Sequence, residues 1–283
     1  MRKSGGSIFA TSLFLASTAH AGVFIEMSDH DVPSGKMTPR HHIYAQQGMM
    51  RADSTDGHTV VLFKENSMYM LDSSTKTYRV LDKAAMDQMA GKMNDAMSQM
   101  QAKMASLPPE QRAAIERAMQ NMGQSMPGAA TASKPHVFDA IDLGAAGSAG
   151  GRSCHMWNAT RDGKPTEQLC VVPESSMPGT AEVMTAIKSA ASFNQQFMDA
   201  MQARGGAAAS IASGSGGIMA QHLNVMQKIG GVPVATRHID SSTGALDSTE
   251  SVMTQWQQRP IDASQFEIPA GYTRKEFMAG SKP

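Results

Sequence analysis

The chain is poor in the residue types that usually announce a site. Its 283 residues include 2 cysteines, 2 tryptophans and 4 tyrosines, and aromatic side chains make up 5% of the whole. Basic and acidic side chains balance at 25 each, which leaves no electrostatic footprint for nucleic acid or an anionic membrane surface. The two cysteines do not form a C-x-x-C pair, so a thioredoxin-like redox motif and a C-x-x-C-H haem attachment are excluded. G-x-S-x-G, P-loop and H-E-x-x-H motifs are also missing, so the sequence nominates no catalytic residue, and a non-enzymatic protein is expected. After residue 21 no apolar run is long enough to cross a bilayer.

What is present begins with an export signature. Arg2 and Lys3 form a positive start, Ile8 to Ala16 an apolar core, and Ala19-His20-Ala21 an A-x-A cleavage pattern. A cleaved leader of residues 1–21 is expected, with Gly22 as the new N-terminus. Loss of Arg2 and Lys3 leaves 23 basic against 25 acidic side chains. In an oxidising compartment the even pair Cys154 and Cys170 is expected as a disulfide. With Arg161-Asp162-Gly163 as a three-residue hairpin loop, the two cysteines would sit directly opposite each other.

Short β-branched and aromatic runs mark an N-terminal meander. They are Val23–Met27, His42–Ala45, Met49–Ala52, Val60–Phe63, Ser67–Leu71 and Thr77–Leu81. The period changes at Asp82, an N-cap candidate. Lys83 to Ala105 contains neither proline nor a β-branched residue. Pro108-Pro109-Glu110 breaks and restarts the pattern, and Gly123 and Pro127 end it, so a helical insertion over 83–126 is expected. Flexible linkers are read at 128–135, 143–151 and 204–217. A further helix runs from Ala181 to Ala203 with Thr180 as its cap, and a short one from Ile218 to Ile229. Strands are expected over His136–Asp142, Arg152–Thr160, Pro165–Val172, Val232–Ile239, Thr249–Gln257 and Gln265–Ile268.

Methionine is the outlier, with 25 against 9 phenylalanines. On a helix turning about 100° per residue, Met86, Met89, Met93, Met97, Met100 and Met104 fall on a stripe about 80° wide and roughly 27 Å long. Met119 and Met122 form a similar stripe on the following segment. Four readings are open. The stripe is core; or it is a deformable apolar surface for lipid chains or peptide helices; or it is a soft-metal site, since thioethers suit Cu(I); or it is an oxidant sink. The histidines lack ligand spacing. His41 and His42 are adjacent and point to opposite faces of a strand, and His30, His58, His136, His222 and His238 are scattered.

Two groups of residues carry a resemblance. Met50-Arg51-Ala52-Asp53, Ser67-Met68-Tyr69-Met70-Leu71-Asp72 and Lys76-Thr77-Tyr78, followed by a Met-rich segment, resemble a bacterial periplasmic family of unknown function. The hairpin from Gly151 to Val171 fits its second half. The ending Pro260 to Tyr272 looks like the close of LolA/LolB-type lipoprotein carriers. The resemblance implies an incomplete, curved antiparallel β-barrel with helices across its concave side, where the carriers hold acyl chains.

The expected fold is therefore α+β, a single domain over 22–283 in which a curved antiparallel sheet is covered by Met-rich helices. The expected function is periplasmic binding of a hydrophobic small molecule or acylated protein. Met86, Met89, Met93, Met97, Met100, Met104, Met119 and Met122 are the expected ligand contacts, and no cofactor is expected. Methionine-based copper binding and a structural envelope protein are the alternatives.

Overall fold

A computed structural model describes residues 21–108, 110–111, 137–203, 225–226 and 228–277. The dominant feature is one sheet of twelve strands, ordered β12-β6-β5-β4-β3-β2-β1-β11-β10-β9-β8-β7. The strands are β1 (Ala21–Asp31), β2 (Lys36–Gln46), β3 (Met49–Ser54), β4 (Thr59–Lys64), β5 (Ser67–Asp72) and β6 (Thr77–Leu81). They continue with β7 (Phe138–Ala149), β8 (Arg152–Arg161), β9 (Lys164–Pro173), β10 (Gly231–Ile239), β11 (Leu246–Pro260) and β12 (Thr273–Arg274). All neighbours are antiparallel except β12 and β6. Two described helices accompany the sheet, α1 (Lys83–Ser106) and α2 (Thr180–Ala203).

The hairpins follow from their turns. Gln47-Gly48, Glu65-Asn66 and Asp162-Gly163 each place both residues at positive φ, between 50° and 77°. Such two-residue turns match the twist of antiparallel strands and set their register. Chain order and sheet order then coincide from β1 to β6. The long return of β11 pairs it with β1, so the two ends of the sequence meet at the centre of the sheet.

This architecture corrects the expected fold. The sheet is open, with β7 at one edge and β12 at the other, and it is not closed into a barrel. Strand outweighs helix, and a covering layer of Met-rich helices is not seen among the described residues. Instead α2 lies across β1, β2 and β3, while α1 meets β6 and α2. The carrier-like endings were compatible with many sheets, and strand count and closure are properties of long-range pairing that short motifs do not encode.

Local expectations also shift. Residues 143–149, read as a linker, belong to β7, whose alanines and glycines pair with β8. Gln265–Ile268 is not a strand. A 3₁₀ turn over Ala263–Phe266 stands there, capped by the Asp262 side chain, which accepts from the Ser264 N–H at 2.8 Å. Thr180 does not cap α2 with its oxygen as acceptor; its hydroxyl donates back to the Met177 carbonyl at 2.5 Å. Asp82 does cap α1, accepting from the Ala85 N–H at 2.8 Å. The second arm of the expected insertion, the linkers 128–135 and 204–217, and the leader up to residue 20 lie outside the described residues.

Cys154 and Cys170 are bonded, with Cα atoms 5.4 Å apart. They are not directly opposite, because the hairpin loop has two residues and a bulge follows Ala159. Met156 pairs with Cys170, and the bridge runs diagonally.

Candidate functional site

In an antiparallel sheet directly paired residues share a face, so the register defines rows of side chains running across the strands. Two neighbouring rows on the α2 side matter here. Row one is Val23, Ala45, Met50, Phe63, Met68 and Leu81, from β1 to β6. Row two lies two residues along each strand. It begins at Trp256 on β11 and continues through Ile25, Ile43, Ala52, Val61 and Met70 to Arg79 on β6.

Row one is filled. Helix α2 buries Val183, Ala186, Ala190 and Phe193, spaced to form one helical face. Val23 and Ala45 are fully buried, and Phe63 meets Phe193 with ring centroids 5.8 Å apart. The chain enters α2 close to the sheet through Gly179, at φ +81°, where an added Cβ would come within 2.6 Å of Val23. The Trp256 indole N–H donates to the Pro178 carbonyl at 2.7 Å and ties this entrance to β11.

Row two is not filled in the same way. Ile25 is buried, while Ile43, Ala52, Val61, Met70, Arg79 and Trp256 are half-buried, and Ile43 and Trp256 pack at the margin of the core around Val23 and Ala186. An aliphatic strip crosses four strands beside α2, with an indole at one end and a guanidinium at the other. This run of half-buried apolar side chains, brought into line by the register, is the candidate site.

The methionines that the sequence singled out are placed differently from one another. Met86 is 5% exposed and packs with Phe63, Ala190 and Phe193, with Met50, Met68 and Leu81 alongside. Its neighbours make it part of the core at the base of α1. Met89 is half-buried. Met93, Met97, Met100 and Met104 stand on the α1 backbone, and their side chains lie outside the description. Met119 and Met122 lie outside the described residues altogether. Lys92, Asp95, Ala96, Ser98, Gln99, Ala102 and Lys103, on the arc of α1 outside the stripe, are exposed.

Sequence reasoning missed the strip because its members are unremarkable singly. Alternation within Met50-Arg51-Ala52-Asp53 and Val60-Val61-Leu62-Phe63 was visible, but only the register lines Ala52 up with Val61 and Met70.

The opposite face is polar at the same level. Gln255, Glu26, His42 and Asp53 form one row there. The Glu26 carboxylate accepts from the Thr254 hydroxyl at 2.7 Å and the Gln255 amide at 3.2 Å, with His42 Nε2 at 3.6 Å. Arg51 donates to Asp53 at 2.6 Å and to the Gln265 carbonyl at 2.7 Å. Burial pushes the Tyr44 phenol upward, and the nearby Asp53 carboxylate adds to this. Phe24, Tyr44, Leu62 and Tyr69 on this face are covered by Ile261 and Phe266 of the C-terminal segment.

Two clefts lie elsewhere. One of about 520 Å³ sits between Val80, the first turns of α1 and Arg274–Phe277, and one of about 500 Å³ between the Gln47-Gly48 turn and α2. Both have mixed polar linings. Among the described residues no cluster of three or more His, Cys, Asp or Glu could hold a metal ion, and no helix is long and apolar enough to cross a membrane. No protein-family model matches the chain, and no curated protein matches it.

Proposed function

We propose that this protein is an exported, non-enzymatic carrier or scavenger of hydrophobic ligands in the bacterial periplasm, with the acyl chain lying along row two. One observation carries the reading: a line of aliphatic side chains, Ile43, Ala52, Val61 and Met70, crosses four adjacent strands only half-buried and leads to Arg79. Half-buried aliphatic side chains in a line retain apolar surface that a ligand can remove from water. Each buried methylene would contribute about 0.8 kcal/mol, so a long chain gains useful affinity from a shallow strip.

Export is supported by the leader pattern and by the Cys154–Cys170 bond, which suits an oxidising compartment. The resemblance of its short motifs to lipoprotein carriers points to the same ligand class.

Binding of a fluorescent long-chain acyl probe tests the reading. The wild-type chain is expected to bind it saturably. Val61→Asp, which puts a charge in the middle of the strip, is expected to lower affinity at least about tenfold, a loss of about 1.4 kcal/mol or more. Ala52→Trp, which fills the strip with an apolar group, is expected to do the same with the fold retained by circular dichroism. A probe that binds all three proteins equally would remove the strip from the account, and one that binds none of them would remove the carrier.

A further inference from the structure

Row two ends on a charge that has no counter-charge. Arg79 is half-buried on β6, on the same face as Leu81 and directly paired with Met70. Among the described residues its side chain makes no ion pair and no hydrogen bond. The other described arginines differ, apart from Arg161, which is exposed to water. Arg40 pairs with Asp29, Arg51 with Asp53 and Arg274 with Asp82, Arg152 and Arg237 bond carbonyls, and Arg259 lies 4.6 Å over the Phe24 ring. The acids near it in the fold are engaged elsewhere. Asp72 is held by Ser74 and Thr75, and Asp82 by the α1 N-terminus and Arg274. Past β12, Lys275 donates its N–H to the Tyr78 carbonyl, so another cation stands next along the backbone and the exposed Glu276 follows it.

A guanidinium partly withdrawn from water and left without an anion is an unfavourable arrangement by itself, and it becomes favourable when a carboxylate docks on its planar fork. We propose that Arg79 is the headgroup subsite of the strip, and that the ligand is a long-chain fatty acid or similar amphiphile with one carboxylate. This rests on row two being the acyl-binding surface. The carboxylate sits on Arg79, and the chain runs over Met70, Val61, Ala52 and Ile43 toward Trp256. Five strand spacings separate β6 from β1, about 24 Å at about 4.8 Å each, which accommodates an extended chain of roughly sixteen carbons. Direction is fixed by charge at one end and by an indole at the other.

The test compares three sixteen-carbon competitors of the fluorescent probe: palmitate, hexadecanol and hexadecyltrimethylammonium. The wild-type protein is expected to bind palmitate about tenfold more tightly than hexadecanol, and the cationic amphiphile most weakly. Arg79→Gln is expected to bring palmitate down to the level of hexadecanol while hexadecanol itself is unchanged. Arg79→Lys, which keeps the charge but not the fork, is expected to fall between. The wild-type preference for palmitate is also expected to shrink with added salt, a readout that needs no variant. Equal wild-type affinities for palmitate and hexadecanol would overturn the headgroup assignment and leave the acyl strip standing. So would an Arg79→Gln variant that loses both ligands in parallel. Failure of all three amphiphiles to displace the probe would overturn the strip, and the headgroup subsite with it.

Discussion

Rows one and two lie two residues apart on the same strands, and from β1 to β6 row one is buried at three positions where row two is buried at one. Row one carries Val23, Ala45 and Phe63 under α2. Row two carries Ile43, Ala52, Val61 and Met70 beside it. Their residue types are nearly the same, so composition does not separate them. What separates them is helical cover: α2 packs on β1 to β3, and Phe193 of α2 with Met86 of α1 closes over Phe63. An apolar strip left beside such a seal is either an inefficiency of packing or a place for something else, and the lone arginine at its end favours the second.

The comparison between faces adds to this. Glu26, Arg51, Lys64 and Arg259 on the polar face are each engaged by another side chain, a carbonyl or an aromatic ring. Buried polar groups normally find partners in this way. Arg79 on the apolar face breaks that pattern.

The difference between the rows can be tested from its strongest consequence to its weakest. Phe193→Ala empties the seal over row one and is expected to destabilise the protein by about 3–5 kcal/mol in urea denaturation. A loss below about 1 kcal/mol would mean that α2 does not close this row. Met86→Leu conserves volume in the same core and is expected to cost less than about 1.5 kcal/mol, with acyl-probe affinity unchanged. A large loss of binding by that variant would move the site back to the base of α1. Val61→Thr, in the half-exposed row, is expected to cost about 1 kcal/mol or less while weakening the acyl probe several-fold. The reverse pattern, a stability loss without a binding loss, would make row two ordinary core. Tyr44→Phe probes the far face. The folded protein holds the Tyr44 proton more tightly than the ordinary value of 10.0 implies. That contribution is present below the unfolded value and is lost as pH rises through the folded one. Wild-type stability is therefore expected to fall more steeply than that of Tyr44→Phe above about pH 10, measured by urea titrations at each pH.

Much of the fold was legible locally. The strands from Val23 to Leu81, the start of α1 at Asp82 and the extent of α2 are set by β-branched runs, turn residues and an aspartate cap, all short-range signals. The disulfide partners were legible because only two cysteines exist. Their diagonal offset was not, since it depends on a two-residue turn and a bulge. Alanines and glycines misled at 143–149, where pairing with β8 makes a strand out of a composition that suits a linker. The candidate site was the least legible part. The methionine stripe is a helical periodicity and is conspicuous in one dimension. Row two is assembled from β11 and from β1 to β6 by cross-strand register, and no window of the sequence contains it.

Methyl NMR during addition of palmitate addresses the central claim most directly. The Ile43, Val61 and Met70 methyl resonances are expected to shift in step with binding, while those of Val23, Val183 and Val234 stay in place. Shifts confined to the α2-covered core or to the polar face, or none anywhere at saturating ligand, would contradict it.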